Sequence, residues 1–286
     1  MNSLLSVFWS VSPDIFSIGP VTIRYYGLLF VLGFISGYYL FKRYYKIEGI
    51  PLPEVDRLSV FVFIGAVLGA RLGHVFFYEP AYYLENPLSI FKVWEGGLAS
   101  HGGTLGLLIA LWFYADRKKS KYVWILDRMS MPTALAGAFI RLGNLMNSEI
   151  YGHETSLPWG FVFVKDGQTI PKHPTQIYEA LAYLGVFIFL WIVYNKRKEN
   201  TPRGIMIGWF MVLVFGARFF VEFVKEVQVG FEQDMALNMG QILSIPFVIF
   251  GIFMILYSYK HKDNIEKPVF QIIEKNKTEE NLSEKN

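Results

Sequence analysis

Three arginines in apolar segments carry the strongest chemical signal in this sequence. Arg71, Arg141 and Arg218 each lie within a stretch of hydrophobic residues. A charged side chain at the centre of a membrane helix costs about 2.5–3.5 kcal/mol on insertion scales, so each arginine needs a partner or a wet cavity. The guanidinium is a planar, permanently charged fork that suits phosphate. The three arginines therefore predict a polar cavity that binds an anionic ligand.

Two of the arginines have polar neighbours at helical spacing. Asn144 follows Arg141 by three residues and Glu222 follows Arg218 by four, so each pair shares one helix face. Further polar side chains fall at the same ends of their apolar segments: Tyr26, His74, His101, Asn147, Gln176, Tyr178, Glu179 and Gln241. Polar residues that each had an unrelated structural role would not all lie at one membrane face, so this convergence indicates a functional site.

Each of these residues also has a purely structural interpretation. Arg218 and Glu222 could lock two helices together, and Arg71 could extend its charge to the membrane interface. His101 could pack between helices, and the glycines after it in "HGGTLG" allow close helix packing. Tyr26, in "RYYG", could belong to an aromatic belt at the membrane surface. The residues alone leave these alternatives open.

Long apolar segments must position these side chains. The chain has 286 residues, of which 53% are hydrophobic and 17% aromatic, and its mean hydropathy is +0.32. Seven segments are long enough to cross a hydrocarbon core of about 30 Å. They are 22–41, 58–78, 98–115, 124–146, 175–195, 204–224 and 240–259. We therefore predict an all-α polytopic membrane protein, with seven transmembrane helices in one domain over residues 1–260.

The positions of lysine and arginine predict the orientation. Basic residues cluster after the first, third, fifth and seventh segments, whereas the opposite connections hold few. The positive-inside rule then places the N-terminus outside and the C-terminus in the cytoplasm. The longest outer connection, residues 148–173, contains "WGFVFV" followed by "KDGQ", which predicts a short strand and turn in a small extracytoplasmic head. The charged tail, residues 261–286, predicts disordered cytoplasmic chain.

Several kinds of chemistry are excluded. The chain has no cysteine, which rules out disulfides, thiolate metal sites and a cysteine nucleophile. Its first twenty residues lack the features of a cleavable signal peptide. There is no HExxH motif, and Ser100 and His101 are neighbours that a helix points apart. The carboxylate-rich signature of metal-dependent CDP-alcohol phosphotransferases is also absent. We expect no metal and no cofactor.

The polar segments together resemble a known family. The sequence is similar to the bacterial prolipoprotein diacylglyceryl transferases over nearly the whole membrane region. The shared pieces are "IRYYGLLFVLGF", "GARLGHVFFY", "WEGGLASHGGTLG", "RLGNLMNSEIYG", "HPTQIYEAL", "GARFFVEFVKE" and "MGQILSIP". They occur in the family's order and at compatible spacing. One departure precedes Arg141, where Phe139 and Ile140 stand and the family often has a glycine.

The resemblance implies a seven-span enzyme of the bacterial plasma membrane, with its active site toward the extracytoplasmic side. Such enzymes transfer diacylglyceryl from phosphatidylglycerol to the lipobox cysteine of a prolipoprotein, next to its signal peptide. The products are a thioether-linked lipid and glycerol phosphate, and no nucleic acid is involved. By motif position, the functional residues are Tyr26, His101, Arg141, Asn144, Glu149, Gly152, Arg218 and Glu222.

The roles of these residues are hypotheses built on that reaction. Arg141 and Arg218 would bind the departing phosphate, with Arg71 as a further contact to the anionic substrate. Asn144, Glu149 and Glu222 would orient the arginines or bind the glycerol hydroxyls. His101 is a candidate base for the thiol proton, although an arginine-rich pocket already favours thiolate. Tyr26 would donate a hydrogen bond, and Gly152 would allow a backbone turn into the head.

Two other classes of protein compete with this interpretation. A transporter or channel for a small anion would place polar residues through the full membrane depth and often has two related halves. In this sequence the polar groups stop in the outer half, and no repeat is evident. A scaffold that binds lipid without chemistry would bind liposomes and form no product.

Overall fold

A computed structural model describes residues 6–19, 21–93, 96–226 and 235–261. This part of the chain is mostly helical. Its helices are α1 Tyr25–Glu48, α2 Pro53–Phe77, α3 Pro80–Glu85, α4 Ser100–Tyr114, α5 Lys119–Met146, α6 Thr175–Arg197, α7 Ile205–Val221 and α8 Met239–Lys260. Single turns of 3₁₀ helix cover Pro87–Phe91, Val164–Asp166 and Lys198–Asn200. Each of the seven predicted segments coincides with one helix, namely α1, α2 and α4 to α8, and α3 is an additional short one.

The described ranges also contain four short strands, so the fold is mainly helical rather than all-α as predicted. They are β1 Val7–Trp9, β2 Asp14–Ile18, β3 Val21–Arg24 and β4 Phe161–Phe163. β2 and β3 form an antiparallel pair, so the chain enters α1 at Tyr25 rather than at residue 22. β4 lies inside the predicted strand "WGFVFV", and Gly167 makes the turn after it with a φ of +71°. The predicted tail lies outside the described residues from position 262 onward.

Three helices of the described ranges are long and apolar enough to cross a membrane. They are Pro53–Phe77, Thr175–Asn200, which includes a 3₁₀ turn, and Met239–Lys260. Helix α7 is apolar but shorter. Helices α1 and α5 are long but include charged residues such as Lys42, Arg43, Asp127 and Arg128. The chain is thus mainly helical with apolar spans, and the full set of seven crossings stays a prediction.

The chain forms two compact units. Within the described ranges, one unit covers the positions up to 40 and from 126 onward, and the other covers positions 41–125. The chain passes between them within α1 and again within α5. We call them the first and second unit and describe each separately.

Small residues bring the helices of the first unit close together. In α1, Gly33 packs against Ala136 of α5, where an added Cβ would lie 3.1 Å from the alanine Cβ. Gly208 of α7 and Gly251 of α8 meet in the same way, since a Cβ on Gly208 would lie 3.0 Å from the Gly251 carbonyl oxygen. Such contacts let backbones approach in membrane proteins, where apolar burial alone gives little drive for helix association.

A buried carboxylate joins α5 to the start of α7. Asp127 is fully buried and accepts hydrogen bonds from the backbone N–H groups of Gly204 and Ile207, at 2.5 and 3.0 Å, and from that of Met206. The first N–H groups of a helix have no partner within the helix, and a negative charge there also interacts favourably with the helix dipole. Asp127 therefore caps α7 from a residue far away in sequence.

Strands β1 and β4 of the first unit lie at the α5–α6 connection. β1 pairs in parallel with β4, so that Val7 faces Phe161 and Trp9 faces Phe163. The Trp9 indole also donates to the carbonyl of Leu145 at 3.0 Å. The N-terminal strand thereby ties this connection to the end of α5.

A glycine seam holds the second unit together. Helices α2 and α4 meet along Gly65, Gly69 and Gly73 on one side and Gly102 and Gly106 on the other. A Cβ on Gly69 would lie 2.7 Å from the Gly106 Cα, and one on Gly65 would lie 2.5 Å from the Ala110 Cβ. The backbones touch directly, so a side chain larger than hydrogen forces the helices apart.

This seam makes a stability prediction with a matched control. Gly69→Ala should lower the free energy of unfolding by about 1–3 kcal/mol, the usual cost of overpacking. Gly185→Ala in α6 should have little effect or stabilise slightly, because an added Cβ there meets nothing within 4 Å. Thermal unfolding in detergent, followed by circular dichroism, would compare the two. Equal midpoints would contradict the close contact at Gly69.

Candidate functional site

Arg141 is held by side chains from two helices of the first unit. Its Nη1 group donates to Asn144 Oδ1 at 3.2 Å, one turn further along α5. Its Nε atom lies 3.0 Å from Glu179 Oε2 of α6. The hydroxyl of Tyr183 also hydrogen-bonds with this guanidinium. The predicted contact between Arg141 and Asn144 is confirmed, and the Arg141 side chain is only 16% exposed.

Glu179 is the buried partner at the centre of this arrangement. It is 1% exposed, and its Oε1 accepts from the Tyr183 hydroxyl at 3.3 Å. A charge this far from water requires ionic or hydrogen-bonding partners. The two cations beside it, Arg141 and Lys225, supply them, since Lys225 Nζ lies 3.8 Å from Glu179 Oε1.

Lys225 connects Glu179 to a second carboxylate. Its Nζ donates to Glu222 Oε1 at 3.0 Å, and the Lys225 side chain is 7% exposed. Glu222 Oε1 also lies 3.5 Å from Nε of Arg218, which confirms the predicted pairing of these two residues. A continuous chain of charges therefore runs from Arg141 to Arg218. We call these residues the arginine–carboxylate cluster: Arg141, Glu179, Arg218, Glu222 and Lys225.

Arg218 is the most accessible member of the cluster. Its side chain is 35% exposed, and its Nη groups have no hydrogen bond or ion pair with any described residue. Arg141, by contrast, is held from several sides. The cluster therefore presents one fixed guanidinium and one whose fork is available to a ligand.

The start of α8 closes the cluster around Glu222. Asn238 donates from Nδ2 to Glu222 Oε2 at 3.1 Å and forms a capping box with Gln241. Gly240 packs against the same carboxylate, where an added Cβ would lie 2.5 Å from the Glu222 Cδ. The glycine is required because it leaves room for this side chain.

A second polar group surrounds Glu149, just after α5. Glu149 Oε1 accepts from Asn144 Nδ2 at 2.8 Å and from Asn147 Nδ2 at 3.2 Å. Asn144 thus bridges Arg141 and Glu149. The ring of Tyr26 packs on Gly143 and lies within electrostatic range of Glu149 and Arg141. The structure therefore brings together six of the predicted site residues here and in the cluster: Tyr26, Arg141, Asn144, Glu149 and, through Glu179 and Lys225, Glu222 and Arg218.

The backbone around Glu149 is strained. Ser148 and Ile150 both have left-handed conformations, with φ of 54° and 61°. This region costs about 1–2 kcal/mol for an ordinary L-residue and is a marked outlier for a β-branched one. Two side chains of α6 hold the strained segment in place, because Gln176 donates to the Glu149 carbonyl at 2.6 Å and Thr175 to the Ile150 carbonyl at 2.8 Å.

Gly152 is needed for space rather than for its backbone angles. Its φ is not positive, so the predicted freedom to turn is not what it supplies. A Cβ there would collide with the Val224 carbonyl and would lie 2.7 Å from the His173 Cβ. The backbones of Gly152 and Lys225 form a bridge at this point. Gly152 thereby helps to hold the segment that carries Glu222 and Lys225.

The α5–α6 connection carries two histidines and a tyrosine outside the helices: Tyr151, His153 and His173. Burial, followed by the nearby His153, lowers the pKa of His173. Burial and the hydrogen-bonded Asp166 carboxylate raise the pKa of Tyr151 above its usual range. Lys172 pairs with Glu226 at 3.0 Å. These contacts fasten the connection to the end of the α7 region.

Arg71 lies in the second unit, and its contacts are structural. Its guanidinium donates to the carbonyls of Ile90 at 2.9 Å, Gly96 at 2.6 Å and Gly97 at 3.3 Å, and also to that of Ser89. It also lies over the Tyr83 ring at 5.0 Å and is 3% exposed. Its predicted contact with substrate stays a prediction, and its contacts favour a role in holding the loop before α4.

His101 lies in the first turn of α4, also in the second unit. Its side chain is exposed and has no hydrogen bond or ion pair among the described residues. No described partner therefore orients the ring or selects its tautomer. Its role as a base stays a prediction.

Four contributors to the site were absent from the predicted set of functional residues. Glu179 and Tyr183 come from α6, Lys225 follows α7, and Asn238 precedes α8. Glu179 had a usable signal, since an ionisable residue inside an apolar span is a functional candidate by default. Lys225 had none, because its position after the span resembles that of an ordinary interface lysine.

Comparison with known proteins gives a consistent result over nearly the full chain. The sequence profile described as "Prolipoprotein diacylglyceryl transferase" matches residues 13–257. A "Phosphatidylglycerol--prolipoprotein diacylglyceryl transferase" from Tolumonas auensis is 46% identical over 257 residues, covering 90% of this chain and 99% of the relative. Proteins of the same name from Chloroherpeton thalassium and Porphyromonas gingivalis are 46% identical over 261 residues and 45% identical over 270. Those two matches cover 91% and 89% of this chain, and 97% and 95% of the relatives.

Proposed function

The chain belongs to the prolipoprotein diacylglyceryl transferase family, and we propose from this premise that it transfers diacylglyceryl from phosphatidylglycerol to a prolipoprotein. The acceptor would be the thiol of the lipobox cysteine beside the signal peptide, in the first step of lipoprotein maturation. The observation that best supports this chemistry is Arg218, whose guanidinium fork is accessible within a cluster of fixed charges. A phosphate ester is the ligand that such a fork binds well.

The reaction we propose is a displacement at a glycerol carbon. The acceptor sulfur, as thiolate, forms a bond to the carbon that carries the phosphate. The carbon–oxygen bond to phosphate breaks, and its electron pair leaves with glycerol phosphate. The thiol proton must pass to a base, and the departing group gains negative charge as the bond breaks.

Arg218 and Arg141 would stabilise that developing charge. Fixed donors aimed at the position where charge appears lower the barrier, because they need no reorganisation during the reaction. Glu179 holds Arg141 at 3.0 Å, and Asn144 holds its Nη1 group at 3.2 Å. Arg218 would complete the site from the accessible side.

The carboxylates and amides would orient these cations and the glycerol headgroup. Glu222 shares its charge between Arg218 and Lys225, which leaves Arg218 only a long contact of 3.5 Å. Asn144 links Arg141 to Glu149, so both would respond together to a bound headgroup. Gly152 would maintain the backbone contact that positions Lys225.

His101 and Tyr26 are proposed for the acceptor side of the reaction. An exposed imidazole can accept a thiol proton. Tyr26 lies close to Glu149 and Arg141 and could donate a hydrogen bond to the substrate. Transfer by a His101→Ala variant at an undiminished rate would assign thiol activation to the arginines instead.

The predicted topology fits this function. We propose seven crossings of the bacterial plasma membrane, with the N-terminus outside, the C-terminus inside and the cluster toward the extracytoplasmic side. The support is that a helix coincides with each of the seven apolar segments, together with the distribution of basic residues.

Direct transfer tests the proposal. Purified protein in phosphatidylglycerol liposomes would be mixed with a lipobox peptide that carries a free cysteine. Mass spectrometry should detect diacylglyceryl on that peptide and none on a matched peptide with serine in place of cysteine. The protein itself has no cysteine that could compete as acceptor. Folded protein that binds the lipid but forms no product would instead favour a lipid-binding or transport role.

A further inference from the structure

A long apolar groove lies on the second unit between α2 and α4. It has a volume of about 560 Å³. Its floor is the glycine seam, and its walls are large side chains of the two helices, which include Phe61, Ile64, Leu68, Ile109 and Phe113. Because the backbones meet at the seam, these side chains stand to either side of it and leave the channel between them.

The environment of the groove is the hydrocarbon core. Helix α2 is long and apolar enough to cross a membrane. Leu68 is 54% exposed, Ile109 49% and Phe113 53%, so the walls face outward. From Val60 to Phe77 the groove follows α2 for roughly 27 Å at about 1.5 Å per residue. One leaflet is about 15 Å deep, half of a core of about 30 Å, so one acyl chain fits in part of this length.

Two arginines stand at one end of the groove. The Arg57 guanidinium lies 5.9 Å from the Phe61 ring centroid, and that of Arg117 lies 5.9 Å from the Phe113 ring centroid. Both rings line the groove. The Arg57 side chain is 46% exposed, and the Arg117 guanidinium has no hydrogen bond or ion pair within the described ranges. Cationic forks therefore lie where an acyl chain in the groove would meet its headgroup.

The nearby carboxylates do not fully neutralise the charge of these arginines. Arg57 lies 3.5 Å from Glu54 and 3.5 Å from Asp116, which are long contacts. Asp116 has a closer partner in Lys121, at 2.8 Å. That hydrogen bond lowers the pKa of Asp116. The acidic groups at this end are thus already partly neutralised, and the two arginines remain suited to an anion.

We propose that this groove binds an anionic phospholipid, with one acyl chain between α2 and α4 and the phosphate against Arg57 and Arg117. Its residues differ from Arg141, Arg218 and their partners, which we propose for the donor lipid, and all of them belong to the second unit. It requires no particular headgroup beyond a negative charge, because a guanidinium fork recognises the phosphate itself. Its lipid would support the α2–α4 pair rather than take part in transfer.

Native mass spectrometry of the full chain in detergent tests the site. Phosphatidylserine, which carries negative charge and is not the proposed donor, would be titrated against zwitterionic phosphatidylcholine. We expect the chain to retain phosphatidylserine preferentially. The double variant Arg57→Gln/Arg117→Gln should weaken that retention at least about tenfold, since each basic residue near a lipid surface contributes measurably to anionic lipid binding. Transfer activity should remain unchanged.

Matched variants test whether lipid retention depends on this groove rather than on positive charge in general or on the donor site. Lys42→Gln/Lys46→Gln removes two exposed cations of the same unit and should leave retention unchanged. Ile109→Trp should displace the lipid by filling the groove, whereas Ile252→Trp, on an equally exposed part of α8, should not. Retention should also persist in Arg141→Ala. Equal retention of the two lipids, an equal loss in both charge variants, or loss in Arg141→Ala would each overturn the proposal.

Discussion

Replacing Arg141 with alanine should lower the rate of diacylglyceryl transfer by about 10²–10³-fold, the effect of losing one fixed donor to a developing negative charge. Arg141 is the best-held cation of the cluster, with Asn144, Glu179 and Tyr183 around its guanidinium. Arg141→Lys keeps the charge but loses the fork, so it should recover only part of the rate. Peptide lipidation at saturating phosphatidylglycerol would measure both variants.

A double variant distinguishes a role of Arg141 in transfer from its role as the partner of the buried Glu179. Arg141→Ala leaves the buried Glu179 with Lys225 as its remaining cation, at 3.8 Å, and this alone could disturb the fold. Adding Glu179→Gln removes the uncompensated charge. If Arg141 acts on the substrate, the double variant should regain stability but remain slow. Full transfer by either Arg141→Ala variant would show that Arg141 serves only to neutralise Glu179.

Asp127→Ala should destabilise the protein by about 3–5 kcal/mol, the usual cost of breaking a buried charged interaction. The substitution leaves the N–H groups of Gly204, Met206 and Ile207 without their acceptor and removes a neighbour of the buried Arg128. Asp127→Asn keeps one acceptor oxygen and should fall between the alanine variant and the unmodified chain. At roughly 2–4 °C per kcal/mol, Asp127→Ala should lower the thermal midpoint by about 10 °C.

Asp116 supplies the control for that experiment. It is another aspartate paired with a cation, but its side chain is 47% exposed. Exposed ion pairs contribute about 0–1 kcal/mol, so Asp116→Asn, which keeps a residue that tolerates the φ of 54° at this position, should change the midpoint little. Similar losses in Asp116→Asn and Asp127→Asn would mean that the cap on α7 adds nothing beyond an ordinary surface contact.

The long helices were predictable from the sequence because hydropathy marks them directly. The two contacts inside single helices, Arg141 with Asn144 and Arg218 with Glu222, were predictable from spacing. Among the short strands, β4 lies inside the predicted strand "WGFVFV", but its pairing with β1 was not predicted, because each has three residues and the pairing spans about 150 positions of chain. Local pattern carries little of that information.

The partners of the arginines were not predictable by the same reasoning. Glu179 meets Arg141 only because α5 and α6 pack together, and Lys225 meets Glu179 only because the chain after α7 returns to α6. For Arg71, the position of an arginine within an apolar span predicted contact with a ligand. The loop before α4 supplies four backbone carbonyls to it. The spacing of side chains in the sequence does not predict hydrogen bonds to backbone carbonyls.

The two left-handed residues beside Glu149 have a consequence for protein engineering. A search for heat-resistant variants would be expected to change Ser148 and Ile150 first, to glycine or asparagine, which adopt positive φ at little cost. It would be expected to leave Gln176 and Thr175 alone, because their hydrogen bonds hold the segment in its present shape. The positions most open to improvement in this region therefore flank Glu149, whose side chain and backbone carbonyl are both hydrogen-bonded.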